Sequence, residues 1–306
     1  MPQINHHPLR SSPVVDIKRS CCGKGRKVIS LANDAQTGNS NMNVIVTIKQ
    51  VPETSKVKMD PNTGVMIREG VESIINPLDL YAIELGIQLA QKYDGRTTVV
   101  SMGPAKAEEA IREAMAMGCD RGVLLSSRAF AGSDTWATSY ALAQAIRKLS
   151  PYDLILSGER ATDGDTGQVG PGIAAWLDLP VGTYVSSIVG RQGPCLRAKR
   201  LLEDGYETID IELPCLLTVV KEVAAPRLPT LRGKQRARQA EVPVWGPDDI
   251  SADPTSIGLK GSPTRVVKIE SPKIARNGDI RAPKDPAEME KAVDGIVDYL
   301  ERLDLL

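Results

Sequence analysis

The sequence predicts a doubly wound α/β fold: a parallel sheet of adenine-nucleotide-binding type with an extra β-hairpin and a C-terminal arm. Three observations predict it. Short β-branched runs alternate with amphipathic stretches of helical length from Met42 to Leu177. A loop crowded with Gly, Thr and Asp joins one of those strands to the next helix. The alternation then stops after about Thr183, where two strand-like runs meet at Asp204-Gly205.

Each element has a local reason. Val44-Ile45-Val46-Thr47-Ile48 is a β-branched run of the kind that sits buried on both faces of a parallel sheet. Lys56 to Glu69 alternates around Asp60-Pro61-Asn62-Thr63-Gly64, which predicts a hairpin. Asn76-Pro77 predicts a helix start, with Asn as cap and Pro in the first turn, and Leu80, Ile83, Ile87 and Ala90 form its apolar stripe. Strands follow at Thr97 to Met102, Gly122 to Leu125 and Tyr152 to Leu156. Helices are expected at Pro104 to Met117, Ser133 to Leu149, and through Trp176 and Leu177. Leu196 to Leu202 and Glu207 to Leu213 read as the second hairpin, and Cys215 to Val220 as a last strand. Pro283 to Leu303 reads as an amphipathic helix ending an arm rich in Pro and Gly.

The expected organisation is therefore an N-terminal extension (1–42), an α/β domain (43–240) and a C-terminal arm (241–306). The extension lacks periodicity and carries Arg10, Lys18, Arg19, Lys24, Arg26 and Lys27 against Asp16 and Asp34, which predicts disorder. An upstream start with Met42 as the natural beginning is the preferred reading. An organelle targeting peptide, and so a mitochondrial matrix location instead of a cytoplasmic one, is the alternative.

Composition narrows the chemistry. With 306 residues, 42% apolar and 25% charged, the chain can bury a large core. Lys+Arg and Asp+Glu balance at 38 each, so no global charge favours nucleic acid, and no apolar run reaches the length of a membrane span. The cysteines form no CxxC pair. Histidine occurs only at His6 and His7, which removes His-based triads and His-ligated metals from the body. Chemistry must come from carboxylates, Lys/Arg, hydroxyls or a bound cofactor.

The richest candidate is the loop from Gly158 to Pro171. Its Gly158, Glu159, Arg160, Ala161, Thr162, Asp163, Gly164, Asp165, Thr166, Gly167, Gln168 and Val169 bring backbone N–H groups and hydroxyls to a helix start. That is where an α/β sheet binds phosphate; the plainer alternative is a capped strand-to-helix turn. Acids beside phosphate repel it, so Asp163 and Asp165 are expected to cap backbone donors or bind ribose and ring groups. Neither GxGxxG nor GxxxxGK[ST] is present. Thr47, Asn76 and Met102 sit at other strand ends that line the same crevice.

Taken together, Val46 to Pro52, Asn76-Pro77-Leu78-Asp79, Met102-Gly103-Pro104-Ala105 and Asp163 to Pro171 resemble the β subunit of electron transfer flavoprotein over about residues 42 to 304. The Asp60 to Gly64, Arg68 to Gly70, Phe130 to Thr135 and Asp163 to Thr166 segments resemble its electron-bifurcating, Fix-like branch. The resemblance implies a heterodimer with an FAD-carrying α subunit, and FAD in the β site, where classical carriers hold AMP. It further implies NADH as donor, with ferredoxin or flavodoxin and a dehydrogenase or quinone reductase as acceptors. No catalytic side chain of the protein itself is then needed, because the flavin does the redox chemistry. Gly167 and Glu159-Arg160 depart from the bifurcating pattern, which puts the tuning of a flavin, and not the nucleotide site, in doubt.

By position, Thr47, Asn76 to Asp79, Met102 and Gly158 to Val169 would surround the adenosine diphosphate part of the cofactor. Lys221 to Leu231 resembles the family's partner-recognition loop, with Val223 as apolar anchor beside Ala224, Ala225, Pro226 and Arg227. A solvated basic loop is the alternative there. A nucleotide-binding regulatory module with no redox role is the alternative for the whole chain.

Overall fold

The computed structural model describes residues 19–20, 41–53, 58–59, 66–67, 73–267 and 280–305. They fall into two units, Met1–Val267 and Lys268–Leu306. The first begins with strands β1 (Arg19–Ser20), β2 (Val44–Ile48), β3 (Gln50–Pro52), β4 (Lys58–Met59), β5 (Met66–Ile67) and β6 (Ser73–Ile75). Helix α1 (Asp79–Lys92), β7 (Thr97–Met102), α2 (Glu108–Met117), β8 (Arg121–Leu125), α3 (Thr135–Lys148), β9 (Leu154–Gly158) and α4 (Val169–Leu177) follow. Then come β10 (Val181–Gln192), β11 (Cys195–Leu202), β12 (Gly205–Glu212), β13 (Cys215–Val219), α5 (Leu231–Gln239), β14 (Val244–Trp245) and the short α6 (Gly258–Gly261).

One 10-stranded sheet runs in the order β1-β12-β11-β10-β13-β9-β2-β7-β8-β14. Only β10/β11 and β11/β12 pair antiparallel; the other neighbours are parallel. This is the expected doubly wound α/β architecture. β2 and β13 have every side chain buried, as strands covered on both faces must. Val44, Val46 and Ile48 pack with α1 and α2 into one cluster that also holds Ala237 of α5, whereas Ile45 points into the other, with Ile146 of α3 and Ile173 of α4. Full burial of each such side chain contributes about 1.5–3 kcal/mol.

Several boundaries differ from the sequence reading. α1 starts at Asp79, with no side-chain cap, because Asn76 is used elsewhere. The long strand β10 and helix α5 are absent from the sequence reading: β10 interrupts its apolar residues with Gly182, Ser186 and Gly190, and α5 is too basic to show a stripe. Tertiary contacts make α5 instead. Arg112 of α2 donates to the Ala240 carbonyl (3.1 Å) beyond the end of α5, and Arg236 of α5 donates to the Met115 carbonyl (3.1 Å) near the end of α2. Arg112 thus satisfies a carbonyl past the end of α5, and Arg236 adds a second donor to the Met115 carbonyl, which also accepts from the Gly118 amide.

Pairing in the sheet continues past the expected boundary at 240/241. β14 pairs with β8 (Val244↔Leu124, Trp245↔Leu125), and the first unit runs to Val267. β4 and β5 pair antiparallel as a hairpin requires; the turn at Asp60 to Gly64 lies outside the described residues. The expected disorder of 1–42 also falls almost wholly outside them. In the second unit, helix α7 (Pro286–Arg302) is capped by Asp285, which accepts from the Glu288 amide at 2.8 Å. No described helix is long and apolar enough to cross a membrane.

Candidate functional site

The sheet reverses its winding between β2 and β9. From β2 the chain moves through α1 to β7 and β8; it then returns by α3 to β9 on the opposite side of β2. The carboxyl ends of strands at such a reversal diverge and leave a crevice. Here it is a cavity of about 390 Å³, within the size range of small-molecule sites.

Thr47, Met102 and Gly158 line the cavity from the strand ends, and Asn76 and Asp79 line it from the start of α1. From the Gly158 to Pro171 loop come Glu159, Arg160, Ala161, Gly164, Thr166 and Gly167, followed by Gln168 and Val169 at the head of α4. Pro77, Leu78, Thr162, Asp163 and Asp165 are not among its lining residues. Two of these nevertheless pair with cations that line it. Asp163 pairs with Lys49 (Nζ–Oδ1 2.7 Å) and Asp165 with Arg160 (Nη1–Oδ1 3.1 Å). Both acids, expected to cap backbone donors or to bind ribose and ring groups, are engaged here by cations of the chain itself.

Asn76 explains how the loop is held. Buried at 1% exposure, it donates from Nδ2 to the Arg160 carbonyl (2.9 Å) and accepts at Oδ1 from the Thr162 amide (3.1 Å). A single amide side chain thus joins the approach to α1 to a segment more than eighty positions later. Thr135 Oγ1 donates to Gln168 Oε1 at 2.8 Å, so the heads of α3 and α4, both lining the cavity, are tied to each other. α3 is capped by Asp134, which accepts from the Trp136 and Ala137 amides; no side chain caps α4. The head of α4 therefore presents amides and the positive end of a helix dipole to the cavity.

Asp79 forms the floor. Its Oδ2 accepts from the Lys49 amide at 2.7 Å, and Asn76 and the Gly158 amide also bond to it. Burial pushes its carboxyl up to about 7, against the opposing pull of those bonds. Gly158 is required there: a Cβ at that position would lie 2.4 Å from Asp79 Oδ1. Gly164 differs, since a Cβ there would meet nothing within 4 Å.

Sequence reasoning missed Lys49, Ser157, Thr138 and Leu142 of the lining. Ser157, whose Oγ lies 2.5 Å from that of Thr47, was legible as the residue before Gly158; Thr138 and Leu142 lie one and two turns into α3 and carry no local signal. Among the described residues no cluster of His, Cys, Asp and Glu suits a metal.

The 221–231 segment, expected as a partner-recognition loop, divides its apolar residues between the core and solvent. Val223 is half-buried against the core, because the short helical turn Lys221–Val223 rolls it inward. Leu228 and Leu231 instead stand 86% and 87% exposed. Between them and the core, Arg227 grips the buried Glu84 of α1.

A crevice at a sheet reversal, with amides and hydroxyls converging on an uncapped helix head, defines a nucleotide-binding α/β protein. Residues 63–250 match the electron transfer flavoprotein domain. The chain is 48% identical over 260 residues to the electron transfer flavoprotein subunit beta of Thermoanaerobacterium thermosaccharolyticum, covering 85% of this chain and 98% of that one. It is 46% identical to the caffeyl-CoA reductase-Etf complex subunit CarD of Acetobacterium woodii (78% and 91% covered) and 42% identical to the protein FixA of Azorhizobium caulinodans (76% and 85%). The chain belongs to the electron transfer flavoprotein family as a β subunit. Membership implies a flavin or nucleotide cofactor in general and an α-subunit partner.

Proposed function

We propose that this chain is the β subunit of a bifurcating heterodimer and that its crevice takes the adenosine diphosphate part of FAD. The crevice at the sheet reversal, lined by the uncapped head of α4, is the observation that carries this reading, and exposed Gly164 places no side chain at its rim. The likeness to proteins named CarD and FixA supports it. When bound, a flavin supplies the step from two-electron to one-electron chemistry. This chain's own residues hold and orient it: Asn76 and Asp79 fix the floor, and the head of α4 offers amides to phosphate.

In this reading electrons from NADH divide between a ferredoxin or flavodoxin and, through the α-subunit FAD, a dehydrogenase or quinone reductase in the cytoplasm. Leu228 and Leu231 supply the apolar contact to that last partner, with Arg232 and Lys234 beside them steering approach. The cofactor content of the chain purified with its α subunit tests the proposal. Two FAD and no AMP per heterodimer is the expected result. One FAD plus AMP would instead make the chain a classical carrier subunit, and absence of flavin would overturn both.

A further inference from the structure

Lys49 and Arg160, the two cations among the described residues lining the crevice, are both held by carboxylates of the chain itself. Lys49 Nζ lies 2.7 Å from Asp163, and Arg160 lies 3.1 Å from Asp165 and 3.6 Å from Glu159. The acids Asp79, Glu159 and Asp134 line the same cavity. Among the described residues, a nucleoside phosphate entering it therefore finds amides on offer but no lining cation that is not already paired. The pairs are nonetheless weakly held. Lys49 and Asp163 are 48% and 31% exposed, Arg160 and Asp165 49% and 68%, and pairs so exposed contribute little net stability.

We propose that Asp163 is an internal stand-in for ligand phosphate: it occupies Lys49 until a nucleoside diphosphate displaces it, and Lys49 then becomes a phosphate ligand. This rests on the nucleotide reading above and adds to it an exchange of partners within the site. Phosphate offers Lys49 a more highly charged acceptor than a single carboxylate does. The lysine is well placed for the transfer. Its backbone amide is fixed on Asp79 at the floor, so its side chain can swing without the strand end moving. Asp163, once released, needs no new partner, because it lies on an exposed loop where water satisfies it.

The exchange makes two substitutions in one ion pair act in opposite directions, which a merely structural pair would not do. The measurement is the half-time for nucleotide to leave the intact heterodimer on dilution, the nucleotide being identified as FAD or AMP after denaturation. Lys49→Gln should shorten it about tenfold, Lys49→Arg should restore most of it, and Asp163→Asn should lengthen it about threefold. The α-subunit FAD serves as internal reference. If Asp163→Asn and Lys49→Gln shift release in the same direction, if neither shifts it, or if α-subunit FAD is lost in parallel, the exchange is overturned while the nucleotide site stands. A wild-type heterodimer that releases no nucleotide beyond the α-subunit FAD would overturn the site itself.

Discussion

Arg227 closes on Glu84 through three bonds: its Nε and Nη2 donate to the two carboxylate oxygens at 2.8 Å each, and its backbone amide adds a third at 3.1 Å. Glu84 sits at 3% exposure on α1, the helix whose first residue floors the crevice. The segment carrying Leu228 and Leu231 is thereby anchored to the sheet's helical layer.

Burial alone would push the Glu84 carboxyl up, but the bonds from Arg227 and Gln88 more than offset this and hold it below its ordinary 4.5. A carboxyl depressed in the folded state stabilises the fold above its unfolded pKa and loses that contribution as pH falls through the folded value. Glu84→Gln should therefore destabilise by about 2 kcal/mol at pH 7, a figure reduced from the fully buried case because Arg227 is a third exposed. Urea unfolding at pH 7 and at pH 4 checks it. The gap between variant and wild type should narrow at the lower pH; an unchanged gap would show that packing, not charge, makes the contact.

Asp79 titrates in the opposite sense. Its folded value of about 7 lies above the ordinary 3.8, so between these pH values the folded chain keeps a proton that the unfolded chain has lost. Stability from this group is full below pH 3.8 and declines as pH rises to about 7. Asp79→Asn cannot ionise and should flatten the dependence of Tm on pH between 5 and 8. A variant whose slope matches that of wild type would refute the assignment.

Gly233 lets α5 lie against the end of α2: a Cβ there would fall 2.2 Å from the Ala116 carbonyl oxygen. Gly233→Ala should force the helices apart and cost roughly 1–3 kcal/mol. Amide exchange should then rise in α5 and in the last turn of α2 together, and leave α3 unchanged.

Two apolar positions of the 221–231 segment, Val223 and Leu231, should separate by phenotype. Val223→Ala removes a half-buried side chain and should lower Tm, whereas Leu231→Ala should leave Tm unchanged and slow electron delivery to the dehydrogenase about tenfold. Steady-state rates against partner concentration distinguish them. Equal rates for Leu231→Ala and wild type would remove the leucine from the docking surface.

The alternating strands and helices were legible because β2, β7 and β9 are apolar runs bounded by turn residues. The Gly158 to Val169 loop was legible because its composition has few other uses. The role of Asn76 was not: as a cap it is a local reading, and its actual bonds reach Arg160 and Thr162, a pairing that only the sheet reversal creates. The burial of Val223 was not legible for a related reason. A valine among polar residues looks exposed, yet one short turn half-buries it against the core and leaves the leucines after Pro226 outside.

The far edge of the sheet carries one more consequence. β14 is only two residues long, with Pro243 before it and Pro247 two places beyond, and Lys148 lies 4.1 Å from the ring of Trp245. Without β14, the edge would be β8, whose last four residues are all buried and apolar or glycine, a ready template for a foreign strand. The proline-bounded strip therefore works as a guard against self-association: it pairs with β8 at Leu124 and Leu125 and is too short to offer an equivalent row of its own.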